Sequence, residues 1–182
     1  MPSPDALFPI LLAADWPRLA APVRQMHGDA PLIQAHGKAD VDGSARLPVR
    51  LLRSLLGLPE PGPQQTLKLT IQRNGTQERW TRQFAGGVMQ STLDLDTASA
   101  QLRERLGPVA LCFSLQRIGE SIDWHLRGAR VFGLPCPRGI FGKVLSRSES
   151  EDGRYAFAID VRLPLLGQLI AYRGWLEIVD GD

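Results

Sequence analysis

Cysteine and histidine are scarce in this chain: Cys112 and Cys136 are the whole of the first, and His27, His36 and His125 the whole of the second, in 182 residues. None stands at metal-ligand spacing from another, so no zinc-type site is implied. The cysteines are expected to be reduced and buried. Glycine is plentiful but never falls into a phosphate loop or a dinucleotide fingerprint, and no cofactor is implied. A Gly-x-Ser-x-Gly elbow is missing too, which removes the signature of the α/β-hydrolases. The net charge is +2 with both signs interspersed, leaving no basic stripe, and nucleic acid is not an expected partner. No apolar run approaches the ~20 residues of a membrane-crossing helix, and Asp5 stands where a secretory signal would be positive. The expectation is a cytoplasmic protein without a transmembrane segment.

What is present reads as one domain over residues 1–182, at 43% hydrophobic and 22% charged. Residues 1–28 form a helical cover: Ser3-Pro4-Asp5 starts a helix whose Leu7, Phe8, Leu11 and Leu12 share a stripe, and Leu19, Val23 and Met26 continue the spacing. Residues 29–182 form an antiparallel β domain with one helix near 47–57, in which Arg50 and Arg53 are assigned to the polar side. Asn74-Gly75 predicts a two-residue hairpin of type I′. Thr97 to Leu106 is assigned a short helix, because Leu102 and Leu106 stand four apart. The chain is organised around its last long stretch, Arg154 to Val179. There Tyr155, Phe157, Ile159, Val161 and Leu163 alternate onto one face of a strand, and a second strand returns after Pro164-Leu165-Leu166-Gly167. The fold class is mainly β (α+β), an antiparallel meander of about eight or nine strands. Such a sheet closes into a barrel or splits into a sandwich, with the N-terminal helices over one end.

Several stretches together carry a family resemblance: Val23-Arg24 followed by His27, Glu78-Arg79-Trp80-Thr81-Arg82 then Phe84, Glu104-Arg105-Leu106-Gly107-Pro108, Gly133-Leu134-Pro135, and Leu163 to Gly167 followed by Tyr172-Arg173-Gly174-Trp175-Leu176. The chain resembles the bacterial domain of unknown function 4166 over nearly its whole length. That family also occurs as a C-terminal extension of proteins similar to saccharopine dehydrogenase. The resemblance implies no reaction and no catalytic residue. Leu106 departs from it, standing where the family is expected to have Phe.

Trp80, Arg82 and Phe84 share one face of a strand, and Arg173, Trp175 and Glu177 repeat the pattern on the last one. Facing inward, such arginines need a carboxylate, an anionic ligand or a wet cavity; facing outward, they stack on tryptophan in solvent. Both orientations stay open. The histidines are assigned capping or surface roles. The apolar loops around Leu55 to Pro59, Gly133 to Phe141 and Pro164 to Gly167 either pack together, rim a portal for an apolar ligand, or meet a partner protein or membrane surface. The reading that follows is a non-catalytic binding module for a small apolar or amphipathic molecule. The alternatives are an enzyme with a polar cavity, using Arg82, Arg173 and Glu177 or His125, and a protein-interaction module.

Overall fold

The computed structural model describes residues 6–179, so the cap assigned to Ser3 lies outside the described residues. Helices α1 (Leu7–Leu12) and α2 (Ala21–His27) come first, joined by a 3-10 turn, and are followed by β1 (Leu32–Asp42) and α3 (Leu47–Leu55). Next come β2 (Gly62–Asn74), β3 (Gln77–Phe84), β4 (Gly87–Asp96), β5 (Gln101–Leu106), β6 (Val109–Ile118) and β7 (Ser121–Val131). After the short β8 (Leu134–Pro135) and α4 (Arg138–Phe141), the chain ends in β9 (Lys143–Glu151), β10 (Arg154–Leu163) and β11 (Gly167–Ile178).

Neighbouring strands pair antiparallel in the order β6-β5-β4-β3-β2-β1-β11-β10-β9-β7, and β6 also pairs with β7. The sheet is therefore a closed barrel of ten strands, with β8 outside it against β7. Closure pairs most of the strand edges, and the seam is shortest between β7 and β9, which pair only from Ile122 to His125. Period-two patterning sorts the wall: on β1, Ile33, Ala35, Ala39 and Val41 are buried, whereas Gln34, His36 and Lys38 face water. The last hairpin behaves as its alternation predicts, with Tyr155, Phe157, Ile159, Val161 and Leu163 all on the inner side. Gly37 and Gly174 make the β1–β11 approach possible, because a Cβ at either would collide with a carbonyl of the facing strand.

Four expectations are corrected. Residues 101–106 are strand β5, not helix: a spacing of four also keeps two side chains on one face of a strand, so Leu102 and Leu106 fitted both readings. The β2–β3 turn has Gly75 and Thr76 as its central pair, since Asn74 faces Gln77. Only Gly75 of the two has positive φ, at 57°, the pattern of a type II′ turn rather than I′. On α3 Arg50 is exposed as assigned, but Arg53 is buried, and Leu47, Leu51 and Leu55 face solvent. The cysteines are free, as expected, but only half-buried.

Hairpin turns alternate between the two ends of an antiparallel barrel. The β2–β3, β4–β5, β6–β7 and β9–β10 turns lie at one end, where α1 packs on β6 and α2 on β9 and β10. That end is closed further by Ala20 N–H, which donates to Glu120 O, and by the Arg73 side chain, which donates to the carbonyls of Met26 and Ala30. The β3–β4, β5–β6, β7–β8 and β10–β11 turns lie at the other end, together with α3.

Candidate functional site

The barrel is not filled. A cavity of about 500 Å³ runs through it, bounded deep inside by Trp80, Trp124, Ser148 and Tyr155, and reaching the surface beside α3 among Leu55, Phe132, Ile140 and Pro164. That volume is in the range of pockets for small organic ligands. Its wall is aliphatic and aromatic, from Leu67, Leu69 and Met89 on one side to Phe113, Phe157 and Tyr172 on the other.

Strand β3 supplies the polar part. Glu78, Trp80, Arg82 and Phe84 are successive inward side chains, running from the closed end toward the mouth. Glu78 is fully buried and accepts from Arg73 Nε at 2.9 Å and Trp80 Nε1 at 2.7 Å. Burial pushes its carboxyl pKa up, against the opposing pull of Arg73 and those hydrogen bonds. The guanidinium of Arg82 lies over the Trp80 ring, 4.8 Å from its centroid. Its Nη1 donates to Ser91 Oγ at 2.9 Å, and its Nη2 is 3.5 Å from Glu104 of β5. An inward arginine is thus matched by an inward carboxylate, and both line the cavity. Arginine has five N–H donors, so these contacts leave it further hydrogen-bonding capacity. Trp124 Nε1 is a second such donor: it is buried in the wall without a partner among the described residues.

A polar cluster forms the floor. His27, at the end of α2, is fully buried, with Nε2 3.2 Å from both Ser148 Oγ and Tyr155 Oη, which are 3.0 Å from each other. Its ring packs on Phe8 at 4.1 Å and stacks on Trp80 at 5.6 Å between centroids. Burial, then the positive charges of Arg73 and Arg82, hold its pKa well below the usual histidine value of 6.5, so the imidazole is neutral. Desolvation raises the Tyr155 hydroxyl to about 12 and keeps it protonated, and Tyr172 is shifted the same way for the same reason. The surface or capping role assigned to His27 is therefore overturned. A histidine one helical turn beyond apolar Val23 shares its buried stripe, and that spacing was the available signal.

The six residues singled out from the sequence are divided by the barrel wall. Trp80, Arg82 and Phe84 are inside. Arg173 and Glu177 are exposed on the outer surface, and Trp175 is half-buried there with Arg154 stacked 4.3 Å from its ring centroid. The structure does not bring Arg82 and Arg173 together. His125 is half-buried on β7 beside an open surface cleft and joins no cluster with Arg82, while His36 is exposed. Sequence reasoning missed Glu78, Glu104 and Ser148. Glu78 was accessible, since it shares the parity of Trp80 and Arg82; Glu104 was hidden by the helical reading of its segment. No group of three metal-ligating side chains occurs among the described residues.

The family model for the domain of unknown function DUF4166 matches residues 19–176. The chain belongs to that family. No curated protein matches it. The stretches of DUF4166 resemblance furnish His27 and Glu78 beneath the cavity and Trp80, Arg82 and Glu104 in its wall.

Proposed function

We propose that the barrel is a binding module for one amphipathic molecule, taken up through the mouth beside α3. The observation that carries this reading is the apolar cavity of about 500 Å³ with the Arg82–Glu104 pair set into its wall. An aliphatic lining makes burial of an apolar chain favourable by ~25 cal/mol per Å² removed from water. Arg82 and Trp124 Nε1 are donors with capacity to spare, beside a Glu104 carboxylate that keeps acceptor capacity, so an acceptor oxygen on the ligand meets donors at mid-depth. Because Glu104 already balances Arg82, a neutral carbonyl, as in an ester or amide, suits the site better than a carboxylate.

Titration with a long-chain fatty acid and its methyl ester, followed by the fluorescence of Trp80 and Trp124, tests the reading. Saturable binding of one equivalent is expected, with the ester tighter. Arg82→Met should weaken it roughly tenfold through the loss of a charge-assisted hydrogen bond, and the outward Arg173→Met should leave it unchanged. Absence of saturable binding for either compound rejects the proposal. Native mass spectrometry of freshly purified protein identifies a retained ligand as added mass.

A hydrolytic reading comes second, favoured by one contact: Ser148 lines the cavity with its Oγ 3.2 Å from neutral His27 Nε2. Against it, His27 Nδ1 has no partner among the described residues to orient the ring, and Tyr155 competes for the same nitrogen. Covalent labelling of Ser148 by a fluorophosphonate would favour hydrolysis over simple binding.

A further inference from the structure

The mouth of the barrel is apolar on its outside as well as its inside. The most exposed large apolar side chains among the described residues, Leu165 at 98% and Phe132 at 81%, followed by Leu55, Leu134, Leu47 and Leu51, all stand at that end. The side wall, in contrast, presents Gln34, Lys38, Lys68, Gln72 and Arg79. Phe132 and Leu165 also have positive φ, 51° and 65°, where Gly or Asn is the unstrained choice. A large apolar side chain in water on such a backbone contributes nothing evident to folding.

Helix α3 buries Val49 and Arg53 but turns three of its leucines outward. Arg53 anchors its inner side, with Nη1 donating to Ser44 O at 2.8 Å and Leu169 O at 3.4 Å and with Nη2 3.7 Å from Glu60. Leu52 and Leu56 face the cavity, and Leu47, Leu51 and Leu55 form a stripe in solvent beside exposed Arg46 and Arg50. A leucine stripe flanked by arginines is the pattern of a helix lying in a lipid–water interface. Charge follows the same axis. Arg46, Arg50, Arg130 and Lys143 are exposed at the mouth, where the acidic groups are Asp40, which accepts from Gln64, Asp42, Glu60, which faces Arg53, and Asp160, which pairs with Arg162. The closed end is mixed, with exposed Asp29, Glu120, Glu151 and Asp152 beside exposed Arg18 and Arg24.

We infer that the mouth docks on an anionic lipid bilayer, with Leu51, Leu55, Phe132 and Leu165 entering the acyl boundary and the mouth cations meeting lipid phosphates. The cavity then opens directly onto the acyl layer. The inference rests on the binding reading for its purpose, yet its test does not need the cavity to be filled.

Flotation of the purified protein with vesicles of pure phosphatidylcholine, and of phosphatidylcholine with 30% phosphatidylserine, makes the measurement. Binding to the anionic vesicles is expected, falling as salt rises through the screening range. Leu51→Asp with Leu165→Asp should cut it roughly tenfold or more, and Arg46→Glu with Arg50→Glu at least about fivefold per charge removed. Neither pair of positions lines the cavity, so ester binding in solution should persist in both variants, and circular dichroism melting curves like the wild type's show that they are folded. Glu151→Gln at the closed end should bind vesicles as the wild type does. Failure of the wild type to float with anionic vesicles at low salt overturns the inference, as does undiminished flotation of the Leu51/Leu165 variant. A concentration-dependent dimer abolished by those same substitutions, without flotation, assigns the apolar rim to a second copy of the chain instead. Loss of ester binding with vesicle binding intact rejects the cavity reading alone.

Discussion

At the closed end of the barrel, apolar side chains of α1 and α2 are inside and the polar groups beneath them are hydrogen-bonded; at the mouth, leucines and a phenylalanine face water while an arginine is held inside. The same chain therefore follows the ordinary rule of burial at one end and breaks it at the other. Closing a barrel end with Phe8, Val23 and Met26 removes apolar area from water and stabilises the fold. Leaving Phe132 and Leu165 outside does not, and departures of this kind collect where a protein meets something else. Stability is expected to reside at the floor and recognition at the rim.

The sharpest way to break that comparison is to truncate one phenylalanine at each end. Phe8 is fully buried, packed on His27 and 5.6 Å from the Trp124 ring, so Phe8→Ala should cost about 3–5 kcal/mol in chemical denaturation. Phe132→Ala, at 81% exposure, should stay within about 0.5 kcal/mol. Similar losses would mean that the rim is packed in solution.

Acid sharpens the same contrast. His27 has a folded pKa well below 6.5, so below that value the unfolded chain binds the proton and the folded chain does not. The stability contributed by the neutral imidazole is present above pH 6.5 and is lost as pH falls toward the depressed folded value. Between pH 7 and 5 the loss from this one group should reach up to about 2 kcal/mol. His27→Gln should flatten that part of the profile, whatever its effect at pH 7. An unchanged slope would place the imidazole in water rather than in the floor.

Hairpin turns provide a smaller test. Gly75 turns the chain at the closed end with φ 57°, whereas Gly86, at the mouth end, has an ordinary φ and open space around it. Gly75→Ala should destabilise by about 1–2 kcal/mol and Gly86→Ala should be neutral within about 0.5 kcal/mol. Equal melting temperatures for the two variants would count against the turn geometry.

Legibility in the sequence follows the period of the pattern. The inward face of β10 could be read because Tyr155 to Leu163 alternate without interruption, whereas on β3 the alternation put Trp80, Arg82 and Phe84 on one face and left open which side of the wall that face was. Arg173 and Trp175 have the same local alternation, but on β11 it is Tyr172 and Leu176 that face in, and an aromatic-rich strand carries apolar residues on both sides. No local rule chooses between two such faces; the pairing of β11 with β1 and β10 does. Glu104 was illegible for a different reason, since Leu102 and Leu106 satisfy a helix and a strand equally. Helix α3 misled because Arg53 is held inside by backbone carbonyls of Ser44 and Leu169 that helical spacing does not reveal. The closed barrel needed long-range closure of β6 on β7, which alternation does not specify.

The smallest effect is expected where an arginine stacks on a tryptophan outside the wall, the counterpart of Arg82 on Trp80 within it. Arg154 lies 4.3 Å from the Trp175 centroid and 3.8 Å from an exposed Asp152 carboxylate. Solvent screens that ion pair, which contributes little, and an exposed cation–π contact is worth about 0.5–1 kcal/mol. Methionine keeps part of the apolar stem against the ring, so Arg154→Met should cost no more than about 0.5 kcal/mol and leave ester affinity unchanged. Arg82→Met removes a similar stack, but it also strips Glu104 of its partner inside the cavity, and it should lower affinity as well as stability. A loss above about 2 kcal/mol for Arg154→Met, or any weakening of ligand binding by it, would show that the outer face of β10 and β11 is itself covered, and the division of the molecule by its barrel wall would have to be redrawn.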